Sequence, residues 1–479
     1  MSDLKSVHQY YTAIKDRLKN YIKADYLANS ETLLGYADDI LDSWTSDYAS
    51  IVQEPYIETS SSYKKCPNGI QNSSSLDSEI KHWMSKLAEN GLGVFQDPFK
   101  HQVDALERFF EGRDLFVSTG TGSGKTECFL WPIIGRAFNE AKKKPEDFKK
   151  QGVRTIIIYP MNALVSDQLS RFRKIFGAPT FKELFCEHTG SKRIPHFGMY
   201  TGRTPYAGNP KPASNRKLAD TFEENYIVSS EIPEDQQQAQ RNTIEGLKSI
   251  NKYPSRFGED GIKRFINNLR GNIHQPSEYD AEFITRFEIQ NYPPDILITN
   301  YSMLEFMLLR KRESNIWEKT KEWLNISDEN KLLIILDEAH MYRGSAGGEI
   351  ALLLERLLSR LEISKDKTQF IMTTASMPQN ELQAVKEFYS GLSGKSSDKC
   401  EFLFGEKEEI EETSLVETNI RGLIASGYTQ VAGDAEIVER IKSFAKNVFN
   451  VSLDEGISRE EVQEWLYEHL PQYEAFLLL

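Results

Sequence analysis

Ser118-Thr119-Gly120-Thr121-Gly122-Ser123-Gly124-Lys125-Thr126 has the make-up of a phosphate-binding loop. Glycines let successive backbone N–H groups turn inward around phosphate oxygens. Thr121, Gly122, Ser123 and Gly124 would form that cradle. Lys125 would neutralise the β- and γ-phosphates, and the Thr126 hydroxyl would hold Mg²⁺. The strict pattern would have Gly at position 119, where this chain has Thr119. A second group, Asp337-Glu338-Ala339-His340, ends the apolar run Leu332–Leu336. An Asp at a strand end beside a phosphate loop can hold Mg²⁺ through water. Glu338 can orient and deprotonate an attacking water. His340 joins the catalytic set as a coupling residue. ATP and Mg²⁺ are thus the expected ligands, with Thr126 and Asp337 on the metal side.

These groups need a scaffold that brings residues 212 positions apart to one place. Short aliphatic runs supply it: Leu115–Val117, Thr155–Ile158, Asp295–Ile298, Leu332–Leu336 and Phe370–Met372. Each run is continuous rather than alternating, as in strands buried on both faces. Helical stretches separate them, which predicts a parallel α/β sheet with right-handed crossovers. Ligands of such sheets bind at the carboxyl ends of the strands, where both groups lie. Residues 206–290 are polar and charged and read as an insertion, part helix and part loop. Residues 1–95 read as a helical accessory region, with Ile80, Trp83, Met84 and Leu87 on one apolar face. The ATP-binding lobe is expected over 96–400 and an acidic helical region over 401–479.

Further blocks follow in order. Phe99-Lys100-His101-Gln102 lies 23 residues before Lys125. Tyr159-Pro160-Met161-Asn162-Ala163-Leu164 runs on to Gln168. Then come Tyr200-Thr201-Gly202-Arg203-Thr204-Pro205, Ile298-Thr299-Asn300-Tyr301 and Thr374-Ala375-Ser376. Together with the two groups above, this series resembles a superfamily 2 DEAH-type DNA helicase, whose phosphate loops use the TGxGKT form. The block Met341-Tyr342-Arg343-Gly344-Ser345 after the acidic box narrows the resemblance. It is similar to the MrfA/YprA-like group, which includes the large helicases of the Druantia and DISARM anti-phage systems. The match covers residues 96–380.

The resemblance implies a RecA-like first motor lobe that couples ATP hydrolysis to movement on DNA, in bacterial repair or anti-phage defence. It implies that Phe99 and Gln102 read adenine. Pro160, Asn162, Gln168, Thr201, Gly202, Arg203, Thr299, Asn300 and Arg343 would contact single-stranded or forked DNA. Thr374, Ala375 and Ser376 would link the nucleotide site to that track. Strand-end Thr, Asn and Gly can donate to phosphate oxygens without any family argument. Such a motor needs a second RecA-like lobe carrying arginine fingers in a Q-x-x-G-R-x-G-R block. No such block follows Ser376. A second lobe from a longer protein or a partner subunit is therefore expected, with weak turnover by this chain alone.

The chain has 479 residues and a net charge of −13, of which residues 401–479 contribute −11. At roughly 150 residues per domain this suggests about three units. An acidic whole argues against coating nucleic acid with the entire surface, but not against a local basic groove. The acidic end reads as a solvated helical bundle or as a docking surface for a basic partner. No apolar run reaches ~18 residues, so no membrane span is expected. Four scattered Cys, none in a CxxC pair, fit reduced thiols in the cytoplasm. The other reading is a nucleotide-switched module that binds DNA or a partner without helicase activity of its own. A small-molecule kinase is disfavoured by the acidic box and the adenine-side block. RNA in place of DNA stays open.

Overall fold

The computed structural model describes residues 7–42, most of 62–408, and Lys442 and Lys446; within 62–408, Thr121, 207–208, 230–231, 258–260, Ser376 and 378–380 lie outside the description. The chain divides into two units, Tyr63–Glu408 and a second one drawn from residues 1–62 and 409–479. Of the second unit, helices over Val7–Ile22, Glu31–Gly35 and Ala37–Asp42 are described, joined by a π-helical turn at Lys23–Leu27. Of the acidic helical region expected over 401–479, the residues from 409 on lie outside the described residues except Lys442 and Lys446, which are helical.

Among the described residues, the larger unit is built on eight strands. These are β1 Asp114–Ser118, β2 Thr155–Tyr159, β3 Phe197–Tyr200, β4 Glu282–Phe283, β5 Ile296–Asn300, β6 Leu332–Leu336, β7 Thr368–Thr374 and β8 Cys400–Phe404. The order across the sheet is β4-β3-β5-β2-β6-β7-β1-β8, and every pairing is parallel. All five sequence-predicted runs are strands, and β1, β2, β5, β6 and β7 are buried along their whole length.

Continuous apolar runs are needed because each strand feeds two cores. Leu115, Val117, Ile157, Ile298, Leu333 and Ile335 point into one cluster. Their alternating neighbours Phe116, Ile156, Ile158, Leu297, Ile334 and Leu336 point into the other. The period of two is present, but both phases are hydrophobic. Helix Ser78–Glu89 belongs to the first core, where Ile80, Trp83, Met84 and Leu87 are all buried. It therefore lies within the sheet-bearing unit. β8 carries this unit past residue 400, where the sequence reading placed the end of the lobe.

The insertion at 206–290 folds as helices Pro212–Tyr226, Glu234–Ser249 and Gly261–Arg270. It has a small core of its own, made by Ala219, Phe222, Ile262, Phe265, Ile266 and Leu269. Its last residues return to the sheet as β4 and helix Arg286–Asn291.

Candidate active site

The strand order places β7 between β6 and β1. The acidic box follows β6 and the phosphate loop follows β1, so the end of β7 separates and joins them. Thr373 at that end donates its hydroxyl to Asp337 Oδ1. The Thr374 carbonyl accepts from Thr119 N at 3.1 Å, and its hydroxyl lies 3.2 Å from His340 Nδ1. Thr374 thus touches both groups. Ala375 follows it, and Ser376 lies outside the described residues, as does Thr121.

The loop is tied to its surroundings on several sides. His101 Nε2 lies 2.9 Å from the Ser123 carbonyl, and Gln102 Nε2 donates to the Gly124 carbonyl at 3.1 Å. Ser123 Oγ lies 2.6 Å from Thr119 Oγ1. Burial pushes the His101 imidazole below its usual range, which keeps the ring neutral. Gly122 and Gly124 sit at φ +78° and +73°. At Gly124 a Cβ would also overlap the Gln102 amide, so this position requires glycine on two counts. Helix Glu127–Lys143 starts immediately after Thr126, with its N-terminal amides at the loop.

One cleft of about 580 Å³ gathers Phe99, Gln102, Gly122, Gly124, Lys125, Thr126, Asp337 and Glu338. Its chemistry fits a nucleoside triphosphate. Lys125 Nζ is buried without a hydrogen-bond partner, a cation whose desolvation calls for an anion. Asp337 is 7% exposed, and burial raises its carboxyl above the usual range. The Thr373 hydroxyl and the Glu338 amide partly oppose that rise. Among the described residues no three His, Cys, Asp or Glu side chains cluster as a metal site. Thr126 and Asp337 would hold Mg²⁺ together with the nucleotide's own oxygens, since this ion keeps waters and phosphates in its shell. Glu338 has φ +51°, a left-handed conformation that costs a non-glycine residue of order 1–3 kcal/mol. The twist leaves its carboxylate 3.3 Å from His340 Nδ1.

Gln102 already uses both ends of its amide: Nε2 on Gly124, and Oε1 accepting from Phe99 N at 3.0 Å. Gln168, expected on the DNA side, lines this cleft instead, with a buried and unpartnered Oε1. The sequence reading missed Gly91, Gly93, Phe95, Arg171 and Lys174 in the same wall. Arg171 Nη1 lies 3.6 Å from Glu127 Oε1. Nothing in the local sequence marks these residues, because only packing brings them to the loop.

The remaining strand ends form a separate group. β3, β5 and β2 are neighbours, so Thr201, Asn300 and Pro160 lie at the ends of adjacent strands. Asn300 Nδ2 donates to Asn162 Oδ1 at 2.6 Å, and Thr299 Oγ1 to the Tyr200 carbonyl at 2.7 Å. Thr299 and Thr201 are buried, so they brace the strand ends from within. Pro160 and Asn162 are half-buried, while Gly202 and Arg203 are exposed. Arg286, not foreseen, donates to the Thr201 carbonyl at 2.6 Å and holds the turn that presents Arg203. Arg343 lies apart, in a groove of about 500 Å³ between helices Ser345–Leu361 and Leu382–Ser393.

The sequence pattern of the DEAD/DEAH box helicase family matches residues 99–204 and 259–385. Residues 99–385 thus carry a DEAD/DEAH box helicase domain. The unmatched gap of the helicase domain falls in the helical insertion, whose first two helices it contains. Druantia protein DruE of Escherichia coli is 35% identical over 91% of this chain. The uncharacterized ATP-dependent helicase MJ1574 of Methanocaldococcus jannaschii is 21% identical over 80% of it. The chain spans 24% and 42% of the lengths of these two relatives. A solved structure of the DUF1998 helicase MrfA bound to DNA aligns with 73% of this chain and 29% of its own, at a TM-score of 0.37 and 19% identity. Among the described residues no helix is long and apolar enough to cross a membrane.

Proposed function

We propose that this helicase domain binds ATP with Mg²⁺ in the cleft below β1 and β6, and couples its hydrolysis to movement on DNA. The observation that carries the reading is the buried, unpartnered Nζ of Lys125 in a cleft that also holds Thr126, Asp337 and Glu338. In this reading Lys125 neutralises the terminal phosphates. Mg²⁺ at Thr126 and Asp337 supplies charge neutralisation of the phosphates when bound. Glu338 holds the attacking water and accepts its proton, and His340 carries the state of that carboxylate to Thr374. DNA would lie across the ends of β3, β5 and β2, where Pro160, Asn162, Gly202 and Arg203 are accessible and Asn300 fixes Asn162. The similarity to a Druantia protein supports a role in anti-phage defence. The full motor would require a second RecA-like lobe, from the remainder of a longer protein or a partner subunit.

The test is ATP binding and turnover with and without single-stranded DNA or RNA, for this chain and for the chain joined to a second lobe. Lys125→Ala should lose nucleotide binding. Glu338→Gln should keep binding and lose turnover by about 10²–10⁴-fold, the usual contribution of a general base. DNA should stimulate the two-lobe protein more than RNA does. Undiminished turnover in Glu338→Gln would refute the assignment of the base, and RNA-only stimulation would refute DNA as the track.

A further inference from the structure

Tyr63 lies outside every sequence motif discussed above, yet its hydroxyl accepts the Gly120 N–H of the phosphate loop at 2.8 Å. The ring stands edge-on to Phe99 and His101, with centroids 5.9 and 5.4 Å away. Both neighbours belong to the adenine-side block, and His101 itself holds the Ser123 carbonyl. On its other side the ring is wedged against the segment that follows β8. A Cβ at Gly405 would overlap both Tyr63 and the Thr119 side chain.

The backbone around Tyr63 is a small ribbon. Tyr63 pairs antiparallel with Lys407, and Lys65 with Phe99. Lys64 N donates to the Glu406 carbonyl at 2.8 Å, and Lys100 N to the Lys64 carbonyl at 2.9 Å. The Glu406 carboxylate pairs with Lys100 and, at 3.5 Å, with Lys64. The sheet-bearing unit begins at Tyr63 and ends at Glu408. Both ends of this unit therefore meet in this ribbon, beside the phosphate loop.

We propose that Tyr63 is a positioning residue of the ATP site: its hydroxyl pins the Gly120 amide, and its ring links the loop to the two-chain neck at 63–65 and 405–407. The inference rests on the ATP-binding reading above. A shift of the neck moves the ring, and the ring moves the loop. In the other direction, a nucleotide that orders the loop favours one position of the neck. A pinned loop also has less freedom to lose when the nucleotide binds.

The experiment uses the full chain and two readouts: affinity for a fluorescent ATP analogue, and hydrogen exchange of peptides covering 118–126. Tyr63→Phe keeps the ring and removes the hydroxyl. It should weaken nucleotide affinity about three- to tenfold, as expected for one lost hydrogen bond. Loop amides should exchange faster while β5 and β6 keep their protection. Glu406→Ala, which loosens the neck, should speed loop exchange in the wild-type background and add nothing in Tyr63→Phe. If the wild-type chain binds the analogue and Tyr63→Phe binds it equally well or more tightly, the positioning role is overturned and the ATP reading stands. If the wild-type chain binds no nucleotide, both fall. Additive effects of Glu406→Ala and Tyr63→Phe would overturn the link to the neck.

Discussion

Asp337 pits the stability of the free domain against what the site needs from it. A carboxyl raised by burial is easier to keep protonated in the folded chain than in the unfolded one. Its contribution to stability is therefore fully present below the unfolded value and is lost as pH rises through the folded one. At neutral pH the ionised side chain is a cost, and it is in this form that it serves Mg²⁺. Asp337→Asn should abolish ATP turnover and raise the melting temperature of the nucleotide-free domain, by about 2–4 °C per kcal/mol recovered. Calorimetry and a turnover assay read the two effects together. In the metal-free wild type, part of the stability should be lost as pH rises through the raised value of Asp337, a loss absent in Asp337→Asn. An unchanged or lowered melting temperature in Asp337→Asn would count against the burial argument. At this scale the sequence was legible where chemistry sits on contiguous residues, as in Gly122–Thr126 and Asp337–His340. It was silent on Tyr63, Arg171 and Arg286, which reach the site from segments with no signature of their own.

The strands that carry the site are anchored at their opposite ends by buried charge. Asp114, at the start of β1, accepts from the Phe370 amide at 2.8 Å and from the Tyr389 hydroxyl at 2.5 Å. Lys395 Nζ lies 2.8 Å from the same carboxylate, and both side chains are almost wholly buried. The knot sets β1 against β7 and the helix Leu382–Ser393. Removing the cation alone leaves an uncompensated buried anion, so Lys395→Met should destabilise the domain by about 3–5 kcal/mol. Denaturant unfolding measures this, and a loss under about 1 kcal/mol would show that water or a neighbour replaces the amine. The elements themselves were unevenly legible. β1, β2, β5, β6 and β7 announce themselves because both phases of each strand are apolar. β3 is four residues with Gly198 inside it, and β4 is two residues. β8 is an edge strand with Glu401, Phe402 and Phe404 only partly buried. Short or one-sided strands leave too little pattern to read without their partners.

At the scale of the whole domain, the two cores on either face of the sheet hold together segments that are close in space and distant in sequence. The sequence-level reading reached the parallel sheet, the insertion and the order of the motifs. It could not reach the strand order, which depends on which helices cover which face. That order carries a consequence for how the protein is made. β1 emerges from the ribosome well before its two sheet neighbours, β7 and β8, which lie more than 250 residues further on. The helical insertion lengthens the wait. At 5–20 residues per second, synthesis from Ser118 to Phe404 takes on the order of 15–60 s. For that time the future phosphate loop has no sheet to stand on, and a long-range parallel pairing must follow. Stalled nascent chains with residues up to 360 outside the exit tunnel should not be retained on immobilised ATP, whereas chains with 408 outside should be. Capture of the shorter chains would mean that β1 finds its loop geometry without β7. The distance between β1 and its partners thus makes assembly of the nucleotide site a late event, and makes the half-made chain a natural client for chaperones.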